Sequence, residues 1–253
     1  MLFRSRRCNN CDGFPCLVQA KGDAEVCGVR PALAANPNLF LLTRAEVRRL
    51  QTDGTGRTVS AVEVRRDGEE LRFSADIVVV SCGAANSARL LLMSANDRHP
   101  RGLANSSDQV GRNYMFHNSK AAVALSHEPN TTIFQKTISI NDWYFGDADY
   151  EWPMGNIQMT GKTRGAIMKG YAPLETFLMP QWSMDQIAEH SLDFWLTSED
   201  LPDPDNRVTL DGEGHIHLHY RPNNQTSAKM LWSRLQGVLD RLYLKEHLVE
   251  RQV

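Results

Sequence analysis

Three groups of residues have types and spacings that chemistry uses. The first is Ser81, Cys82, Gly83 and Ala84. This run of small residues lies between the apolar stretch Ile77–Val80 and a helical pattern that begins near Asn86. Small residues let the backbone approach a ligand closely, and a helix that follows offers N–H groups to anionic oxygens. This is the pattern of a nucleotide-binding crossover, and equally of a tight β-α junction. The second group is Cys8, Cys11, Cys16 and Cys27, spaced C-x2-C-x4-C-x10-C. Thiolates are soft ligands, and a zinc or iron-sulfur site needs three or four of them converging. The spacing fits no standard zinc finger or ferredoxin run, and partly buried thiols are the competing reading. The third group is His215, His217 and His219, on one face of an expected strand. Neighbours on that face lie about 7 Å apart, too far for all three to share an ion with bonds of about 2 Å, so a solvated hairpin face is the better reading.

The elements that must position these residues are legible in the apolar pattern. Ile77–Ser81 is apolar without alternation, which predicts a strand buried on both faces in the parallel core of an α/β sheet. Asn38–Thr43 reads as another short buried strand. Ala45–Thr52 and Val59–Arg65 alternate, and Leu71–Ser74 follows. The Asp53–Gly56 and Asp67–Gly68 turns separate them, so an antiparallel meander is expected to feed the core strand. A helix over 86–95 follows, with Asn86 and Ser87 as candidate N-caps. A short helix is expected at Asp108–Met115, capped by Ser106, Ser107 or Asp108. Ala121–Leu125, Asn156–Thr160 and Ser191–Thr197 predict strands. Residues 128–153, with Trp143, Tyr144, Phe145, Tyr150 and Trp152, predict a long irregular segment: a lid, a substrate or subunit contact, or packing. Asn206–Leu210 and His215–Tyr220 predict a hairpin around Asp211–Gly214. Ser227–Glu250 carries helical periodicity through Met230, Leu231, Leu235, Val238, Leu239 and Leu242.

Composition narrows the function classes. The chain has 253 residues, 42% hydrophobic, with a formal net charge of −2 and interspersed signs. That argues against nucleic acid or an anionic membrane as the main partner. Arg4–Arg7 has no apolar region behind it, so it is not a secretory signal, and no apolar run reaches the length of a membrane span. Five cysteines in a chain of this size do not suggest a disulfide scaffold. The sequons at Asn105, Asn130 and Asn224 carry little weight without a signal. A cytoplasmic placement is favoured, with the compartment left open.

Five stretches in order resemble the glucose-methanol-choline (GMC) family of flavin oxidoreductases. They are Cys11–Cys16 with Ala20–Ala24; Asn38–Leu42 with Thr43, Ala45, Val47 and Leu50; Ser81–Ser87 with Leu90–Ala95; Gly102–Asn105 with Asp108–Asn113, Met115 and His117; and Asp203–Leu210. The departures from the family are also specific. No G-x-G-x-x-G is found: Gly54-x-Gly56 and Gly212-x-Gly214 read as hairpin turns. The family's segment rich in His, Gly and Thr, which holds its catalytic histidine, is not recognised either. The resemblance therefore implies an internal piece of a larger enzyme, inactive by itself.

What the resemblance implies is an α/β chain of partly α+β character in two parts. Residues 1–118 would be a partial Rossmann-like FAD-binding domain with a cysteine-rich N-terminal loop. Residues 119–253 would be an incomplete sheet-and-helix substrate domain with a return helix. In the intact enzyme an alcohol group of a sugar, polyol or other alcohol would be oxidised by hydride transfer to flavin, with a base taking the hydroxyl proton. Val47 would lie beside the flavin adenine, and Ser81, Cys82, Gly83, Ala84 and Ser87 close to the dinucleotide. Some members of the family carry an iron-sulfur cluster at about the place of Cys8, Cys11, Cys16 and Cys27, passing electrons to a partner. His117 would stand where the substrate domain begins, more as a hydrogen-bonded structural histidine than a base. Glu199 and Asp200 read as a solvated loop before Pro202–Asn206. Asp193, Trp195 and Glu199 are candidates for the substrate side of the flavin pocket. No catalytic residue is nominated. Two other classes stay open: a metal-binding electron-transfer module built on the cysteines, and a non-catalytic binding domain.

Overall fold

The two hairpin turns read in the sequence organise the first part of the chain. The computed structural model describes residues 16, 18–132, 136–171 and 176–249. A π-helical turn at Glu25–Val29 runs into α1 (Arg30–Ala35), with Pro31 in its first turn. Next come β1 (Ala45–Thr52), β2 (Val59–Arg66) and β3 (Glu69–Phe73), an antiparallel sheet in the order β1-β2-β3. Asp67 and Gly68 take φ of +50° and +90° between β2 and β3, the left-handed pair that matches the twist of a two-residue hairpin. β1 skips a partner between Val47 and Arg49, so Arg48 is a bulge. α2 (Ala84–Met93) follows. The chain continues through β4 (His117–Leu125), β5 (Ser139–Ile140), β6 (Asn156–Met159), α3 (Gly165–Tyr171), α4 (Gln181–Glu189) and β7 (Ser191–Glu199). A hairpin of β8 (Arg207–Leu210) and β9 (Ile216–His219), α5 (Gln225–Arg241) and β10 (Lys245–Val249) complete it.

These elements form two units. The meander unit comprises Cys27–Met115 and Leu201–Arg221. It holds the three-stranded sheet, α2 and the β8–β9 hairpin. Its core is Leu50, Leu90 and Leu103, with Val47, Val59, Val62, Val78, Val80 and Leu91 against it. The sheet unit comprises the described residues up to Val26, then Phe116–Asp200 and the chain from Pro222. Its antiparallel sheet runs β10-β4-β7-β6-β5. α5 buries Ala228, Leu231, Leu235 and Leu239, spaced three and four apart. Leu231, Leu235 and Leu239 meet Ala122, Ala124, Met154, Ile157 and Leu196 from the strands and the loop before β6.

The architecture is mixed α/β with antiparallel sheets, and several elements depart from the sequence expectations. Ile77–Val80 is extended, but among the described residues no strand pairs with it. Val78 and Val80 pack on the leucine cluster, whereas Ile77 and Val79 are 81% and 80% exposed. The β-branched run sets the extended backbone; a parallel ladder also needs a neighbour, and every described strand pair is antiparallel. Leu39–Leu42, expected as a buried strand, is likewise unpaired and exposed. Asp108–Met115 forms turns instead of a helix, because Asp108, Gly111 and Asn113 all take positive φ. The last helix ends at Arg241. Tyr243 turns at φ +56°, and the chain returns as β10 against β4. The irregular segment 128–153 contains β5.

Leu235 is fully buried at the centre of the sheet-unit core. Leu235→Ala is expected to destabilise that unit by about 2–5 kcal/mol, read as a lower midpoint in urea unfolding.

Candidate functional site

The site begins with how α2 is held. Leu90 buries against Leu50 and Leu103. The Ser94 hydroxyl, at the C-terminal end of the helix, accepts the Leu50 N–H at 2.9 Å and donates to the Leu90 carbonyl at 2.6 Å. On the other side, Arg89 Nε donates to the Gly214 carbonyl at 2.8 Å and its guanidinium lies 3.6 Å from Glu46. The helix is thus anchored to β1 and to the β8–β9 turn, and its N-terminus carries the small-residue turn with it.

At that end Gly83 takes φ +81° and ψ 166°, a region open essentially to glycine alone. A Cβ built there would meet nothing within 4 Å. The contrast with two neighbours is informative. At Gly102 a Cβ would fall 2.8 Å from the Leu91 carbonyl, and at Gly111 2.5 Å from the Val208 carbonyl. Those two glycines are required by close packing of backbone on backbone; Gly83 instead presents bare backbone to open space. Ser87 fixes the turn from inside the helix. Its hydroxyl accepts the Cys82 N–H at 3.0 Å, and its own N–H bonds the Gly83 carbonyl at 2.9 Å. Asn86 and Ser87 are therefore not N-caps: the cap position is Gly83, with no side-chain cap bond. Ser81, Cys82, Gly83 and Ala84 are all exposed, and Cys82 is a free thiol.

A cleft of about 290 Å³ lies beside this helix end, lined by Ala84, Ala88, Gly111, Arg112, Asn113 and Tyr114 among others. Arg112 is held in place by Asp108, which its guanidinium bonds, and by the Pro204 carbonyl at 2.9 Å. That hydrogen bond from Arg112 keeps the Asp108 carboxyl below its ordinary pKa. A second cleft of about 280 Å³ has an apolar floor of Leu50, Val59, Val78, Val80, Leu91 and Leu103. His99 lines it too, with Nε2 at 2.8 Å from the Gly56 carbonyl. Val47 sits on β1 opposite Val64, half-buried against the leucine cluster, beside the bulge at Arg48. Val47 and the turn Ser81–Ala84 both belong to the meander unit, where α2 packs on β1 through Leu90 and Leu50. Arg112, Asn113 and Tyr114 were not singled out as site residues from sequence; the Asp108–Asn113 motif was the signal for them.

Other candidates fall elsewhere. Cys8 and Cys11 lie outside the described residues. Cys16 and Cys27 are free thiols in different units. Cys16 Sγ accepts the Ala20 N–H at 3.1 Å, and bonds from the Ala20 and Lys21 N–H groups lower its pKa. Among the described residues no three His, Cys, Asp or Glu side chains are grouped to hold a metal. His117 is exposed at the start of β4, opposite Glu199. Asp200, expected in a solvated loop, is 4% exposed and accepts three hydrogen bonds, because the strand end carries it inward. Asp193 is buried in β7, where Ser191 Oγ and the Thr163 N–H bond its Oδ2. Trp143 and Tyr150 pack on the core of the sheet unit, while Phe145 and Trp152 are exposed. Among the described residues no helix is long and apolar enough to cross a membrane.

His215, His217 and His219 are exposed on their hairpin. His219 Nε2 lies 3.1 Å from Thr209 Oγ1, and His215 Nδ1 3.1 Å from Asp211 Oδ2. The His215 backbone N–H, the largest influence, and the Glu213 N–H hold the Asp211 carboxyl down at about pKa 2. A carboxyl lowered on folding stabilises the hairpin above about pH 4 and loses that contribution as pH falls toward 2. An NMR titration of Asp211 is expected to show a midpoint near 2; a midpoint near the ordinary value of about 3.9 would contradict the turn geometry.

With this geometry in place, comparison with known proteins is specific. Residues 4–119 match the family model described as GMC oxidoreductase. The chain is 29% identical to the fructose dehydrogenase large subunit of Gluconobacter japonicus over 178 residues, 67% of this chain and 32% of that protein. It is 29% identical to paromamine 6'-oxidase of Streptomyces fradiae over 251 residues, 93% of this chain and 43% of that protein. It is 40% identical to 6'''-hydroxyparomomycin C oxidase of Streptomyces lividus over 104 residues, 40% and 19% respectively. The chain is thus similar to the GMC oxidoreductase family, by its family model over residues 4–119 and by these relatives beyond them. It spans less than half the length of these curated relatives.

Proposed function

We propose that the meander unit is part of the FAD site of an alcohol-oxidising flavoenzyme, with a sugar or polyol as the substrate class. The observation that carries this reading is the open backbone at Gly83 on the N-terminus of an anchored helix. A dinucleotide phosphate needs close backbone approach and N–H donors, and both occur here together. The relatives support the substrate class: one is named a fructose dehydrogenase subunit, one a paromamine 6'-oxidase and one a 2-methyl-1,2-propanediol dehydrogenase.

The residues present fit such a group. Each cleft falls just below the ~300–1,000 Å³ range of ligand pockets, so each suits part of a dinucleotide rather than the whole. In this reading Ser81, Cys82, Gly83 and Ala84 approach the dinucleotide with backbone, and Ser87 holds that backbone in shape. Val47 offers strand backbone to the adenine beside the Arg48 bulge. When bound, the flavin supplies the hydride acceptor. No residue of this chain is assigned the role of the base, and the 253 residues alone are expected to be inactive toward alcohols.

Two substitutions test the reading in a titration of the purified chain with FAD and with ADP. Ala84→Trp fills the approach to the helix end without straining the backbone, because Ala84 is exposed. Gly83→Val strains the turn as well. Both are expected to weaken binding at least tenfold, with Ala84→Trp keeping the parent unfolding midpoint. If Ala84→Trp binds FAD as tightly as the parent, or the parent binds neither ligand, the assignment fails.

A further inference from the structure

Residues 141–153 of the sheet unit connect β5 to β6 and carry five aromatic side chains among four carboxylates, with no Lys, Arg or His. The aromatics divide by burial. Trp143 and Tyr150 pack on the core of the unit. Phe145, Trp152 and Tyr144 are 81%, 62% and 44% exposed. The loop is held in one shape from α5. Arg234 bonds both Asp147 carboxylate oxygens, at 2.7 and 3.1 Å, and Asp149 at 3.1 Å. The Tyr150 hydroxyl lies 2.9 Å from Ser227 Oγ on the same helix. Gly146 takes φ +96°, and a Cβ there would fall 2.6 Å from the Tyr150 carbonyl. Two backbone bonds cross the loop. The Asp147 N–H donates to the Tyr150 carbonyl at 2.8 Å, and the Met154 N–H to the Trp143 carbonyl at 3.3 Å. Phe145 and Trp152 lie midway between these crossings, one on each limb. The rings of Tyr144 and Phe145 meet edge to face at 4.9 Å.

Rings held out in water by a fixed backbone lose little freedom on contact, which is what the anchor of a binding surface needs. A small molecule takes a concave site that encloses most of it. Rings this exposed enclose nothing and suit the surface of another protein. With about 150–250 Å² per buried ring, the three leave roughly 400 Å² to cover, about half of one side of a standard interface. The contact they support is therefore small and reversible. Charge selects the partner. Asp142, Asp149 and Glu151 are exposed on the same loop. Carboxylates beside aromatic faces attract arginine and lysine, which also stack on the rings, and they repel acidic surfaces. A second copy of this chain would bring the same carboxylates against them. We propose that Phe145 and Trp152, rimmed by Asp142 and Glu151, are a docking surface for a partner protein that presents an arginine- or lysine-bearing segment. The proposal is independent of the flavin assignment, since no residue of the meander unit takes part in it.

The test titrates the full 253-residue chain with a hexa-arginine peptide, and with hexa-glutamate as the control, at about 0.1 M salt. Calorimetry gives the affinity, and the indole N–H resonances locate the contact among the five tryptophans. The parent is expected to bind hexa-arginine saturably, with Trp152 the most shifted indole, and to leave hexa-glutamate unbound. Phe145→Ser with Trp152→Ser removes the rings and is expected to weaken binding about fivefold or more at an unchanged unfolding midpoint. Asp142→Asn with Glu151→Gln keeps the rings and the Arg234 bonds, and is expected to weaken binding to a similar extent. Phe145→Ser alone decides the role of the rings if the double variant does not fold. Three outcomes overturn the proposal. One is a parent that binds neither peptide, or binds both alike. Another is a folded ring variant that binds hexa-arginine as tightly as the parent, which is diffuse attraction to charge. The third is a parent that sediments as a dimer dispersed by the ring variant, which makes a second copy the occupant.

Discussion

The Ser94 hydroxyl is fully buried and joins a strand to a helix: it accepts from the Leu50 N–H and donates to the Leu90 carbonyl. Around it the side chains of Leu50, Leu90 and Leu103 exclude water. A polar atom at such a place must be bonded, and bonding both elements at once sets their separation and register. The rest of the meander unit's site is a consequence. With α2 fixed on β1, the turn at its N-terminus is fixed too, and the bare backbone of Gly83 faces open space instead of another element. The two clefts that flank the helix take their walls from the same docking.

The glycines show how one residue type serves two needs. Gly102 and Gly111 let one backbone pass close to another, and any side chain there would collide with a carbonyl. Gly83 has the same kind of dihedral but no neighbour. A conformation that costs conformational entropy and packs against nothing within the chain is the kind of feature that functional sites retain.

Local signals were legible where local chemistry decides structure. Asp67–Gly68 gave its turn because left-handed φ needs such residues. The 3–4 spacing of Leu231, Leu235 and Leu239 gave α5, and the alternation of β1 and β2 gave the meander. Expectations failed where the outcome depends on a neighbour distant in sequence. Ile77–Val80 and Leu39–Leu42 have the composition of buried strands, yet pairing is a property of two segments. The Asp108–Met115 turns were missed because positive φ at Asp108 and Asn113 is imposed by their bonds and surroundings, not by residue type alone. β10 was hidden inside what looked like helical periodicity. Of the site, Ser81–Ala84 was readable as a turn at a helix start and Val47 as an inward strand position; Arg112 and Tyr114 line the cleft beside Ala84 only through tertiary structure. The inward turn of Asp200 was invisible for the same reason, since a carboxylate before a proline-rich turn reads as solvated until its three donors are seen.

The central claim is that the backbone at Gly83 is where a flavin nucleotide meets this chain. The most direct measurement is an amide chemical-shift map of the labelled protein during titration with FAD. The account predicts that the largest perturbations fall on Cys82–Asn86, with a second group near Val47. Perturbations confined to the His215–His219 hairpin or to the sheet unit, with Gly83 and Ala84 unmoved at saturation, would contradict it.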